Sequence, residues 1–253
     1  MKDHLVKAVA DGVRVYAAVT TDLVNEAIRR HGCHPVAAAA LGRTMTGALL
    51  LAANLKNREA LTVTFDGHGP LGKVTADATP EGFVRGYVTN PYVDLPQNAK
   101  GKIDVGGGVG TDGTVTVTRF TGLRNPVTGS APLMDGEIAD DLTKYLYVSE
   151  QTPSSVGLGV LIGHAGEEMA CIGAGGFIIQ PMPDATDETI DKLEANLKKV
   201  NSVSHMVEHG LDAKGIIAEL LQGFDVDYLT TTELAFRCPC SKERISEVLL
   251  SLG

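Results

Sequence analysis

Residues 35–55, PVAAAALGRTMTGALLLAANL, impose the strongest constraint on what this chain can fold into. Pro35 suits the first turn of a helix, and the alanines and leucines that follow make that helix apolar nearly all round. Arg43, Thr44 and Thr46 interrupt the run, whereas a membrane span needs about 20 nearly uninterrupted apolar residues. The segment therefore predicts a helix buried inside protein. With 253 residues, 43% of them apolar, the chain is long enough to build a sizeable core in one or two domains.

Strand signals flank this helix. Residues 7–10, the turn Asp11-Gly12 and residues 13–16 read as a β-hairpin. Thr21 is placed to cap a helix that carries Val24, Ala27 and Ile28 and closes at Gly32. Between 61 and 88 the runs LTVTF, KVTAD and FVRGYV are separated by DGHGPLG and TPEG, which predicts an antiparallel meander. TVTVT at 114–118 adds a strand, an acidic helix follows near 138–146, and two apolar runs, VGLGVLI and MACIGAGGFII, flank HAGEE. Strands and helices come in blocks, so the expected class is α+β with a mixed or antiparallel sheet.

The character changes at QPMPDATDE, 180–188. Ile190, Leu193, Leu197 and Val200 share one helical face. Val203, Met206 and Val207 belong to a second helix stopping at Gly210, and Ile216, Ile217, Leu220 and Leu221 to a third ending at Gly223. Helices this short cannot bury narrow apolar faces alone and must dock on the preceding domain or on another subunit. The expected organisation is a globular core over 1–180 and a helical linker over 181–233.

A net charge of −9 argues against a nucleic-acid surface, which needs clustered positive charge. The amino terminus, MKDHLVKAVADG, lacks the apolar stretch of a secretory signal. Four unevenly spaced cysteines point to metal or redox chemistry in a reducing compartment, not to a disulfide framework. A cytoplasmic protein, with no membrane or nucleic-acid partner, is the expectation.

Three motifs invite chemistry and meet simpler explanations. Gly108, Gly110 and Gly113 spell GxGxxG, but a strand follows where a dinucleotide site needs a helix N-terminus, so a glycine-rich loop leading into a hairpin is expected. HMVEH places His205, Glu208 and His209 in the HxxEH pattern of a zinc hydrolase. Gly210 ends that helix, however, and a histidine in a last turn is favoured by the helix dipole. His31, Cys33 and His34 lie at a junction between helices with the wrong spacing for zinc, and Cys33 and Cys171 read as buried small hydrophobes.

FRCPCSKER, 236–244, is different. Pro239 pushes Cys238 towards extended geometry, and in an extended chain residues two apart point the same way. The sulfurs of Cys238 and Cys240 can therefore grip one metal or form a short-range disulfide. Arg237, Lys242 and Arg244 favour thiolates, as does a helix starting after a Ser241 cap. A plain thiol oxidoreductase is one reading of such a pair. A structural zinc wants four ligands, and SKERISEVLLSLG supplies no further Cys or His.

Taken with GPLGKVTADATPEGFVRGYVTNPYVDL, YLYVSEQTPSSVGLGVLI and AGGFIIQPMP, in that order, the segment resembles the redox-regulated 33-kDa heat-shock chaperone family of bacteria, in its Gram-positive versions above all. The resemblance implies an ATP-independent holdase, not an enzyme. Its partners would be unfolding or oxidatively damaged client proteins and a second copy in a homodimer. It also implies a globular domain, a helical linker and, over 234–253, the start of a small zinc-binding domain. In it Cys238 and Cys240 would be redox-active cysteines and two of four zinc ligands, and oxidation would eject zinc and unfold the linker. The family's distal CxxC is missing here, so the expectation is a shortened chain that cannot close a monomeric zinc site, with a switch impaired or biased towards the open form.

Overall fold

A computed structural model describes residues 1–56, 58–123, 125–200, 202–238 and 242–251. Strands β1 (His4–Ala10) and β2 (Val13–Val19) form the expected hairpin. Asp11 and Gly12 both take positive φ, 39° and 77°, a turn whose twist matches that of its strands. Helix α1 (Thr21–His31) closes at Gly32 in the left-handed conformation. Its start differs from expectation. Thr21 is the first helical residue, Thr20 occupies the cap position without a side-chain capping bond, its hydroxyl pairing instead with that of Thr46 at 2.8 Å, and the cap comes from far away in sequence. The Asp3 carboxylate accepts the N–H groups of Asp22 (3.1 Å) and Leu23 (2.7 Å).

Helix α2 (Pro35–Ala52) is enclosed as its composition demands, with every residue buried except Pro35 and Arg43. Among the described residues it is the one helix long and apolar enough to cross a membrane, and 89% of that stretch is buried inside the protein. Strands β3 (Ala60–Asp66), β4 (Val74–Ala78) and β5 (Phe83–Val88) make the meander. A short α3 (Val105–Val109) leads into the hairpin of β6 (Thr114–Phe120) and β7 (Val127–Pro132). Helix α4 (Ala139–Val148) precedes a second hairpin, β8 (Ser155–Ala165) with β9 (Glu168–Pro181).

Three linker helices follow, α5 (Asp187–Leu197), α6 (Val203–Glu208) and α7 (Ala213–Leu220). The range 181–233 does not stay helical to its end: residues Asp227–Glu233 are strand β10 beside β1. DYLTTTE is exposed on both faces, so it lacks the alternation that marks a half-buried strand. A two-residue strand, β11 (Ala235–Phe236), and helix α8 (Lys242–Ser251) complete the order.

The strands form a five-stranded sheet, β10-β1-β2-β9-β8, and a six-stranded sheet, β11-β5-β4-β3-β6-β7. All recorded pairings are antiparallel except β11 with β5, and the class is α+β. Helix α2 packs against strands of both sheets. Leu41, Met45 and Leu49 of α2 share the main core with Leu61, Val63 and Phe65 of β3 and Val160 of β8. A second core lies on the outer face of the five-stranded sheet. There Val6, Val15, Ala17, Phe177 and Ile179 are covered by Leu193, Val203, Met206, Ile216, Ile217 and Leu220 from the linker helices. The narrow apolar faces found in the sequence are thus buried against the five-stranded sheet of this same chain.

Candidate functional site

The thiol segment hangs on a tether that touches both sheets. Strand β10 runs back along β1. Buried Leu234 then turns the chain across, donating its N–H to the Asp3 carbonyl at 3.1 Å. Ala235 and Arg237 donate to the carbonyls of Gly82 (3.0 Å) and Val84 (2.8 Å), which makes β11 the edge of the other sheet. The Arg30 guanidinium sits 5.0 Å from the Phe236 ring centre and that of Arg237 4.7 Å from the Phe83 ring centre. Each such contact contributes about 0.5–1 kcal/mol at an exposed site, and each backbone bond about 1 kcal/mol net. Few and small terms thus hold the β11 end of the tether, while β10 is paired with β1 over six residue pairs. Cys238 follows at once and is exposed. Pro239, Cys240 and the Ser241 cap lie outside the described residues.

The other two cysteines cannot join Cys238. Cys33 and Cys171 are buried in the main core. Burial pushes their thiols up to about 11 and about 12 respectively, the wrong direction for a thiolate ligand. Among the described residues no three His, Cys, Asp or Glu side chains converge as a metal site. A structural zinc wants four ligands; the described residues bring no such set together, and Cys240 lies outside them.

The remaining motifs come apart. His205 Nδ1 lies 3.0 Å from Glu208 Oε2, and His209 Nδ1 is 2.7 Å from the His205 carbonyl oxygen. The hydrolase base is thus engaged with one of its own would-be ligands, and His209 caps the end of α6. His34 pairs with Asp94 at 2.9 Å, while Cys33 turns into the core. Gly108 lies inside helix α3, not in the expected loop, and leaves room for the Val36 and Leu71 side chains, while Gly110 and Gly113 serve backbone packing. A Cβ on Gly110 or Gly113 would lie 2.3 Å from the Gly67 carbonyl oxygen or 1.9 Å from that of Asp66. The β6–β7 hairpin follows as expected.

Two features escaped the sequence reading. Asp3 joins the α1 terminus to the tether, a contact with no local signal. Gly159 of β8 and Gly173 of β9 lie directly under α6. A Cβ there would come within 2.6 Å of the Ser204 nitrogen and 2.4 Å of the Ser204 oxygen. The signal was present in VGLGVLI and CIGAGG, since glycine inside an apolar strand marks close backbone approach.

The family description "Hsp33 protein" matches residues 3–253. The chain belongs to the Hsp33 family. Among its relatives, the 33 kDa chaperonin of Bacillus cytotoxicus is 49% identical over 255 residues, covering 100% of this chain and 87% of that protein. The 33 kDa chaperonin of Bacillus subtilis is 50% identical over 253 residues, covering 99% and 86%. The crystal structure of the 33 kDa chaperonin (heat shock protein 33 homolog) of Thermotoga maritima is 34% identical, with a TM-score of 0.89 over 100% of this chain and 85% of that one. Relatives in this Hsp33 family carry chaperonin names and not enzyme names, so the chain is a chaperone-family protein. The quoted segments that resembled the family build the β4–β5 meander, the α4–β8 connection, the end of β9 and the thiol tether.

Proposed function

We propose that this Hsp33-family chain is a redox-regulated, ATP-independent holdase whose thiols control whether the linker helices stay docked. The observation that carries the reading is that α5, α6 and α7 cover an apolar sheet face and the chain runs from them, through β10 and the lightly fastened β11, straight to Cys238.

Hydrogen peroxide oxidises the Cys238 and Cys240 thiols, forming the S–S bond while its own O–O bond breaks. Two thiol protons and the two electrons complete two molecules of water. The closed ring of so few residues changes the backbone that the two-residue β11 must hold. Once β11 and then β10 leave, helices too short to persist alone lose their frame, and the face bearing Val6, Val15, Phe177 and Ile179 opens to apolar segments of an unfolding client. A disulfide between residues so close is strained and easily reduced, as a reversible switch requires. Cys238 and Cys240 are two of four zinc ligands in the family resemblance. The described residues give no complete set, and no step here depends on the metal. A cytoplasmic homodimer belongs to the same proposal.

The test is light scattering of a thermally unfolding client with the chain either fully reduced or peroxide-treated. Suppression that appears on oxidation and vanishes in Cys238→Ser/Cys240→Ser supports the proposal. Equal suppression in both states removes the switch, and none in either state removes the holdase.

A further inference from the structure

A cavity of about 390 Å³ opens between the two sheets at the C-terminal end of α2. Each sheet contributes one arginine to its lining, Arg14 from β2 and Arg119 from β6. Arg119 is answered by Glu150 at 2.5 Å. Arg14 is not: its Nε donates to the Gln180 amide oxygen at 2.8 Å, and among the described residues no carboxylate pairs with it. Gln180 is 4% exposed, and its own nitrogen is held by Ser154 at 2.7 Å, so the Arg14 guanidinium is fixed in place. Tyr16 donates its hydroxyl to Asn54 Oδ1 at 2.5 Å, which leaves the Asn54 amide N–H groups as further donors at the rim.

The negative end of α2 would be the simple reason for a cation here. That role is already filled, because Lys7, across from Tyr16 on β1, donates to the Ala53 carbonyl at the helix end. The cavity thus holds two guanidiniums against one carboxylate, in a chain whose net charge is −9. Guanidinium forks match oxyanions bidentately, and the volume lies within the range of small-molecule sites.

The geometry points to a binding site for a small, multiply charged oxyanion in this cavity, held between Arg14, Arg119 and Asn54. Such a ligand would tie the two sheets together, and the site stands independently of the holdase reading.

Inorganic pyrophosphate and citrate are the probes, each titrated into the full chain and read by thermal unfolding against sodium chloride of equal ionic strength. At ten times the dissociation constant the midpoint should rise by roughly 3–5 °C. Arg14→Gln should lose the rise. Asn54→Asp keeps an acceptor for the Tyr16 hydroxyl, places a negative charge at the rim and should lose it too, which decides the matter even if Arg14→Gln does not fold. A rise with pyrophosphate alone specifies a phosphate ligand, and a rise with both specifies any compact polyanion. No rise beyond the chloride control, or an undiminished rise in Asn54→Asp, overturns the site.

Discussion

Gly173→Ala isolates the seam between the linker and the five-stranded sheet. The new methyl carbon would stand 2.4 Å from the Ser204 carbonyl oxygen and 3.1 Å from the Glu208 nitrogen, so α6 must lift by about 1 Å to restore ordinary contact at about 3.5 Å. Within β9 itself, alanine replaces glycine without backbone strain and is favoured by about 0.5–1 kcal/mol. The cost therefore falls on α6, and overpacking of this kind costs about 1–3 kcal/mol. Converted at about 1.4 kcal/mol per factor of ten, the undocked population of the linker rises by roughly 5- to 150-fold. Amide hydrogen exchange on the reduced chain reads this directly. Residues of α6 and α7 should exchange faster by that factor, while α2 and β3 keep wild-type protection. Under the proposed function, the reduced variant should also suppress client aggregation where the reduced wild type does not. Unchanged exchange in α6 and α7, or equal loss of protection in α2, would refute the reasoning.

Three further outcomes follow from the same structure. Iodoacetamide should alkylate Cys238 in the native chain while Cys33 and Cys171 react after unfolding, read by peptide mass spectrometry, because burial raises those two thiols to about 11 and about 12. Burial raises the Asp3 carboxyl from 3.8 to about 6, more than its two backbone hydrogen bonds lower it. A raised carboxyl adds stability below its unfolded value and loses it as pH climbs through the folded one, so between pH 7 and pH 5 wild type should gain about 1.4 kcal/mol over Asp3→Asn. Urea midpoints at the two pH values measure this, and a parallel pair would contradict it. Leu49→Ala, in the enclosed helix α2 at 2% exposure, should cost about 2–5 kcal/mol in urea unfolding.

Much of the fold was legible because local chemistry and tertiary context agree. Asp11-Gly12 demanded a tight hairpin turn, and residues 35–55, apolar nearly all round, demanded enclosure. The linker helices announced by their spacing that they needed a surface. What stayed hidden is where tertiary contact overrides local preference. Strand β10 exists because β1 offers it an edge, although its side chains face solvent. Helix α3 is mostly glycine, a poor helix former, yet Asp104 caps it by accepting the Gly107 N–H at 3.0 Å, and its glycines admit close backbone contact. At the candidate site, Cys238 was visible from its motif, whereas Asp3 and Leu234, which anchor its tether, lie 231 residues apart in sequence and have no pattern in common.

Under the proposed function, oxidation of the thiol pair undocks α5, α6 and α7 and uncovers the face beneath them. The most direct measurement is hydrogen exchange on reduced, peroxide-treated and client-loaded chain. Oxidation should strip protection from residues 187–220 and leave α2 protected, and client binding should restore protection over β1, β2 and β9. An oxidised chain that holds client while residues 187–220 keep full protection would contradict it.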